Sequence, residues 1–368
     1  MSKILFFEGD INNAITGLRK ELVIELHKQH EIILIGSNTN NDNINLPTKI
    51  FTKIYNLGIL KSSKFHLFFY LIKVAKIIII EKPTICISFN IRPNIVLGII
   101  KYLIYYKSIA TVTGTSTFLK ESSFLKNTFL NLCFRKFDCI FFQNINDKKL
   151  FDLFGIKQKD YQLVNGSGVD TEYYNYPRIY NEKKSKSFIL IARLLIEKGI
   201  IEYINAAKIL KTKNYNVTFK LLGPFYFSGP NNDSIQKFEI ESAIQNNFIE
   251  YLGETNNVIP FILNADCVVL PSYNEGMSNI LLEAASLRTP IITTNVPGCY
   301  EIVDDNITGL LCKPKCAIDL ANKMEIFLNL DKDKHILMGE LARKKMVKEF
   351  NKNLIVDKYI NYINTNFN

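Results

Sequence analysis

The sequence predicts an α/β protein made of two doubly wound, Rossmann-like domains in tandem. Three observations carry this. Strand-like apolar runs alternate with helix-like periodic segments along the whole chain. The alternation pauses once, in the polar stretch Asn165–Ser185, and then restarts. A length of 368 residues also suits two domains of ordinary size. Such alternation puts parallel strands in the middle and helices on both faces. Two such sheets in tandem are expected to turn the carboxyl ends of their strands toward a common cleft.

In the first half the expected strands are Lys3–Phe7, Glu31–Gly36, Lys49–Tyr55, Thr84–Phe89, Ile109–Thr113, Asp138–Phe142 and Tyr161–Val164. Helical patterns fall between most of them, at Gly17–Lys28, Lys64–Ile80, Pro93–Tyr105, Phe124–Lys136 and Asp147–Phe154. The second half restarts at Ser187–Ile191 and continues with Val217–Leu222, Phe248–Leu252, Asp266–Leu270 and Pro290–Thr293. It closes in helical stretches at Lys334–Phe350 and Asn353–Ile363. The expected division is 1–170 and 171–351, with a last helix, about 352–368, returning to the first domain. No repeat of solenoid period is present.

The chain is 47% hydrophobic and 22% charged, enough apolar content for real cores. Seven Cys are scattered, mostly in apolar runs, and Cys312 and Cys316 have no partner pair or nearby His. Buried free thiols in a reducing cytoplasm are the expectation, with no metal. Met1-Ser2-Lys3 leads straight into the first strand, so no signal peptide is expected.

The net charge of +10 is concentrated. Lys61 to Lys136 holds twelve Lys/Arg against Glu81 and Glu121, and is rich in Phe, Tyr, Leu and Ile. That mixture points to an anionic membrane surface. Solvated helix faces are the bland alternative. Nucleic acid is a further one for a basic patch, but no nucleic-acid motif accompanies it. The run Phe65 to Ile80 contains His66, Lys73 and Lys76 and is shorter than the roughly 20 residues a span needs. Lys61, Lys64, Lys73 and Lys76 share about half of a helical wheel. A helix lying on the membrane surface is expected, and no transmembrane segment.

The densest motif runs from Pro271 to Ala285. The apolar strand Cys267-Val268-Val269-Leu270 enters a loop with Glu275 and Gly276, and a helix starts near Ser278 and carries Glu283. Two carboxylates thus meet free backbone N–H groups at the end of one strand, where open sheets bind ligands. Carboxylates repel phosphate, so they suit sugar or ribose hydroxyls.

Three blocks in order give this half a resemblance to the retaining family-4 glycosyltransferases, which have the GT-B fold. They are Ile191-Ala192-Arg193-Leu194-Leu195-Ile196-Glu197-Lys198-Gly199, Leu270 to Ala284, and Pro290 to Glu301 followed by Gly309-Leu310-Leu311. The first half is more loosely similar, through Arg92-Pro93-Asn94-Ile95, Thr111-Val112-Thr113-Gly114, Phe142-Gln143-Asn144 and Gly166-Ser167-Gly168-Val169-Asp170, to the branch that builds bacterial surface glycans on lipid carriers.

The resemblance implies a donor site. Arg193 and Lys198 would bind the diphosphate of a nucleotide sugar, where cations neutralise the leaving charge. Glu283 would hold a ribose diol, since a carboxylate accepts two hydroxyls at once. Glu275 would face the transferred sugar, with the backbone of Gly276, Met277 and Ser278 contacting sugar and phosphate. Thr113 and Gly114 would also face the donor; some relatives have His where this chain has Thr113. The loop Glu8-Gly9-Asp10-Ile11-Asn12-Asn13 would set Gly9 in a turn near the phosphates. None of the four His lies in an expected cleft loop, which disfavours a Ser–His–Asp hydrolase. No Asp-x-Asp pair follows an apolar strand; Asp331-Lys332-Asp333 reads as a surface turn, so no metal or other cofactor is expected.

The activity implied is transfer of a hexose or N-acetylhexosamine, with retention, from a nucleotide sugar with UDP ahead of GDP. The acceptor implied is a polyprenyl-diphosphate-linked saccharide at the inner face of the cell membrane. A nucleotide-sugar epimerase, a phosphorylase and a non-catalytic basic protein binding membrane or nucleic acid are the alternatives. The first lacks a His near the sugar, the second lacks context for a pyridoxal lysine, and the third predicts no UDP affinity.

Overall fold

The computed structural model describes residues 2–37, 50–58, 64–114, 123–178, 185–225 and 234–367. The expected residues Lys49, Lys61, Lys120, Glu121 and 181–184 lie outside these, as does the side chain of Lys64. The chain divides into two compact units, Met1–Ser167 with Lys352–Asn368, and Gly168–Asn351.

Among the described residues, the first unit holds a seven-stranded sheet: β1 (Ser2–Asp10), β2 (His30–Ser37), β3 (Phe51–Asn56), β4 (Ile85–Phe89), β5 (Lys107–Val112), β6 (Cys139–Phe142) and β7 (Tyr161–Leu163). Their order is β3-β2-β1-β4-β5-β6-β7, parallel throughout, so the winding reverses between β1 and β4. Helices lie between them: α1 (Asn12–Ile15), α2 (Lys20–His27), α3 (Lys64–Glu81), α4 (Ile91–Ile100), α5 (Phe124–Phe134) and α6 (Ile145–Leu153).

Period-2 alternation explains the layers. Leu5, Phe7, Ile33 and Ile35 face a core shared with α3, α4, α5 and α6. Ile4, Phe6, Ile32 and Leu34 face the opposite core, shared with α1, α2 and the last helix of the chain. The central strands are apolar on both sides because helices cover both.

The second unit repeats the plan with β8 (Lys186–Ile191), α7 (Ile200–Thr212), β9 (Val217–Leu222), α8 (Lys237–Gln245), β10 (Glu250–Tyr251), α9 (Ile259–Asn264), β11 (Cys267–Leu270), α10 (Asn279–Ser286), β12 (Ile291–Thr294), β13 (Gly309–Cys312), α11 (Ala317–Leu328) and α12 (Lys332–Lys345). Its parallel order is β10-β9-β8-β11-β12-β13, which reverses between β8 and β11. A π-type turn, Met346–Phe350, ends α12, and α13 (Lys352–Phe367) belongs to the first unit. There Tyr359 stacks on Phe141 with ring centroids 4.0 Å apart, and its hydroxyl meets Thr111 Oγ1 at 2.8 Å.

Several expectations need correction. The strand expected at Lys3–Phe7 runs on to Asp10, because β2 accompanies it as far as Ser37, with a register shift between Phe7 and Asp10. Gly9 is therefore the end of a strand and not a loop residue. The strand at Phe248–Leu252 shrinks to two residues, Glu250 and Tyr251. Asp331-Lys332-Asp333 is not a surface turn: Asp331 caps α12, accepting from Lys334 N at 2.8 Å, and Asp333 lies in the first helical turn. Acids are favoured at both positions by the unpaired N–H groups and the helix dipole. The seam is no free linker either. Val169 donates to Phe350 O, and the buried Arg343 guanidinium donates to the carbonyls of Thr171, Tyr174 and Ser286. The chain is thus pinned to the second unit from Val169 onward.

Candidate functional site

In the second unit the loops leaving β8 and β11 flank the reversal point of the sheet, the place where doubly wound sheets bind ligands. They are locked together. Gly199 starts α7 with φ +72, and a Cβ there would stand 2.1 Å from the carbonyl oxygen of Pro271. Only glycine allows that conformation and that approach. Tyr273 N also donates to Glu197 O at 2.8 Å. The β12–β13 connection braces the same loop from its other side. Gly298 has φ +80, with room for a Cβ only 2.6 Å from Glu275 O, and its carbonyl accepts from Ser278 N at 3.1 Å.

This framework brings Lys198 and Glu275 together. The Lys198 ammonium sits 2.7 Å from Glu275 Oε1, and Ser272 Oγ donates to the same oxygen at 2.7 Å. Both charged side chains are mostly buried, at 14% and 12% exposure. Arg193 is exposed at the mouth of the β8 loop. Gly276 and Met277 are partly buried, and Ser278 is the buried N-cap of α10. The first N–H groups of a helix have no intrahelical acceptors, an arrangement that favours an anion. Glu283 lies on α10 on the same side as Ile280, three residues earlier. Burial pushes its carboxyl up to about 7, while a hydrogen bond from Tyr174 opposes the rise.

The carboxyl edge of the first unit gathers the remaining residues. Gly9, next to last in β1, lies beside Asn90, whose φ of +72 marks a strained backbone between β4 and α4. The Thr113 hydroxyl donates to Asn90 Oδ1, and Gly114 follows exposed with φ +139. Beneath this edge Glu8 is 1% exposed, with Arg19 Nε 3.7 Å away. Burial raises the Glu8 carboxyl to about 7 against the opposing pull of Arg19.

Ser272, Tyr174, Glu8 and Asn90 are residues that the sequence motifs do not single out. Ser272 was inside the quoted motif, and an Asn at a strand–helix junction is a usable signal for a special φ. Tyr174 lies outside every motif, and only the fold brings it to Glu283. Among the described residues no cluster of three or more His, Cys, Asp or Glu is placed to hold a metal.

Residues 175–345 match the glycosyl transferases group 1 family. Among curated proteins, the chain is 25% identical over 248 residues to an N,N'-diacetylbacillosaminyl-diphospho-undecaprenol alpha-1,3-N-acetylgalactosaminyltransferase of Campylobacter jejuni, covering 64% of this chain and 63% of the relative. It is 28% identical over 213 residues to the capsular polysaccharide biosynthesis glycosyltransferase CapM of Staphylococcus aureus, covering 57% and 53%. The chain thus spans less than two thirds of the length of both relatives. The Anabaena protein HepE, solved in complex with UDP, superposes with a TM-score of 0.79 at 16% identity, over 99% of this chain and 100% of that one. The fold is GT-B.

Proposed function

We propose that the protein is a retaining glycosyltransferase that moves a hexose or N-acetylhexosamine from a nucleotide sugar, UDP first among the candidates, to a polyprenyl-diphosphate-linked saccharide in surface-polysaccharide synthesis. The observation that carries this is the Lys198–Glu275 pair beside the N-terminus of α10, with Glu283 about one turn along that helix. A nucleotide sugar presents, in order, a ribose diol, a diphosphate and a sugar. An acid, a set of cations and N–H groups, and a second acid match that order. The anionic group and the sugar hydroxyls meet at the anomeric carbon, where a cation and a carboxylate 2.7 Å apart serve both. The match of residues 175–345 and the two curated relatives, one named for an undecaprenol-diphosphate-linked acceptor, support the reaction class.

In this reading Arg193 and Lys198 neutralise the departing diphosphate, the principal electrostatic contribution to such a step. The leaving phosphate takes the acceptor proton on the face it vacates, which retains configuration. Glu275 orients the sugar and Glu283 grips the ribose. No metal or other cofactor takes part in the proposed chemistry. Calorimetry in EDTA tests the donor site. UDP should bind the wild type, and Glu283→Ala and Arg193→Ala should each weaken it at least about tenfold. Binding of GDP alone would change the donor class, and binding of neither nucleotide would overturn the reading.

A further inference from the structure

Helix α3 is apolar on both of its faces. Tyr70, Val74, Ile77 and Ile78 point into the core, as a covering helix requires. The outward stripe, at spacings of three and four residues, reads Phe65, Phe68, Phe69, Ile72, Lys73, Lys76, Ile79 and Ile80, all exposed, with Phe65 at 80%. Helices apolar all round are normally covered on every side. Nothing among the described residues covers this one, and none of the described helices is long and apolar enough to cross a membrane.

The same sheet edge carries a second exposed set. Helices in a parallel α/β unit begin at the carboxyl ends of the strands, so the first turns of α3 and α5 lie at one edge, on one face of the sheet. At the start of α5, Phe124 is 84% and Leu125 78% exposed. Thr113 and Gly114, which follow β5, belong to that edge as well.

The exposed charges among the described residues from 64 to 136 have one sign. Lys73, Lys76, Lys82, Arg92 and Arg135 are exposed. Glu81 is the lone acid among the described residues from 64 to 136, and it is 3% exposed, turned inward onto Lys53 and Tyr55.

We infer that the outward face of α3, together with the first turn of α5, docks in the plane of an anionic lipid surface. The aromatic end enters the headgroup boundary, and Lys73 and Lys76 meet the lipid phosphates. A face whose described exposed charges are cationic fits anionic lipid better than a second copy of this chain, whose matching face would carry the same charge. The inference names the surface on which the proposed acceptor would be presented. Its evidence is separate from the donor site, and it is read without nucleotide or saccharide.

The test is co-sedimentation of the full chain with vesicles of phosphatidylcholine containing about 30% phosphatidylglycerol, against phosphatidylcholine alone. The wild type should bind the anionic vesicles and loosen at high salt. Phe68→Ser with Phe69→Ser should lower partitioning at least about tenfold, and Lys73→Ala or Lys76→Ala about fivefold each. Melting temperature and UDP affinity should stay unchanged, because these side chains are exposed and belong to the first unit, whereas the proposed nucleotide contacts belong to the second. Absence of wild-type binding to both vesicle types would overturn the inference, as would equal binding by the Phe pair variant. So would a wild-type dimer that the Phe pair variant dissolves without any vesicle binding, which would make a second copy the occupant. Vesicle binding that persists while UDP affinity is absent would sink the proposed function and leave this surface standing.

Discussion

Gly199→Ala separates two effects that glycine performs at once. An alanine at φ +72 costs about 1–2 kcal/mol in backbone strain. Its methyl would also stand 2.1 Å from Pro271 O, where real contacts do not fall below 3.0 Å. The β8 and β11 loops must then part by roughly 1 Å, a displacement that costs an oriented site about a hundredfold in rate. Gly155→Ala supplies the control, with φ +66 and nothing within 4 Å of the new methyl. Both variants should lose about 1–2 kcal/mol of stability in thermal or urea unfolding. Only Gly199→Ala should lose about 1–3 kcal/mol more from the forced shift, and only it should lose UDP affinity and transfer rate. If Gly199→Ala matched Gly155→Ala in stability and binding, the close approach of the two loops would not be what holds the site.

Glu283 gives a pH prediction with a definite sign. Its carboxyl titrates near 7 in the folded protein against 4.5 when free, so the folded state holds the extra proton between those values. Its contribution to stability therefore falls as pH rises from about 4.5 to 7, then levels off. Glu283→Gln should leave stability unchanged near pH 4.5 and raise it by about 1–3 kcal/mol at pH 8, while UDP affinity falls; equal melting shifts at both pH values would contradict this. In the wild type, UDP affinity should rise through pH 7 as the carboxylate forms. Tyr174→Phe removes the hydroxyl that stabilises that carboxylate, so the binding profile should move to higher pH with about a threefold to tenfold loss of affinity at neutral pH; an unmoved profile would deny Tyr174 this role. Tyr359→Ala should destabilise the first unit by about 3–5 kcal/mol in urea unfolding, because a fully buried ring stacked on Phe141 is lost.

Much of the fold was legible because buried parallel strands leave continuous apolar runs. Ile85–Phe89 and Cys267–Leu270 stand out without any knowledge of pairing. Edges were less legible. The end of β1 depends on β2 running beside it to Ser37, which is a tertiary fact. β10 is short because little of it pairs beyond Glu250 and Tyr251 with β9. In the site, Arg193, Lys198, Glu275 and Glu283 were readable because their loops leave adjacent strands in a fixed order. The bond from Tyr174 to Glu283 was not readable, because it depends on Arg343 holding the carbonyls of Thr171 and Tyr174 from a helix far along the chain. The Lys198–Glu275 contact was equally invisible: the sequence assigned the two residues to different parts of a ligand, and the structure sets them 2.7 Å apart.

The most direct test of the central claim is a transfer assay in EDTA. UDP-glucose, UDP-galactose, UDP-N-acetylglucosamine and UDP-N-acetylgalactosamine would each be offered with a short polyprenyl-diphosphate-linked sugar, and the product weighed by mass spectrometry. The account predicts a gain of one hexose or N-acetylhexosamine with one of these donors, lost in Glu283→Ala. A gain that survives Glu283→Ala, or no gain with any of these donors, would contradict it.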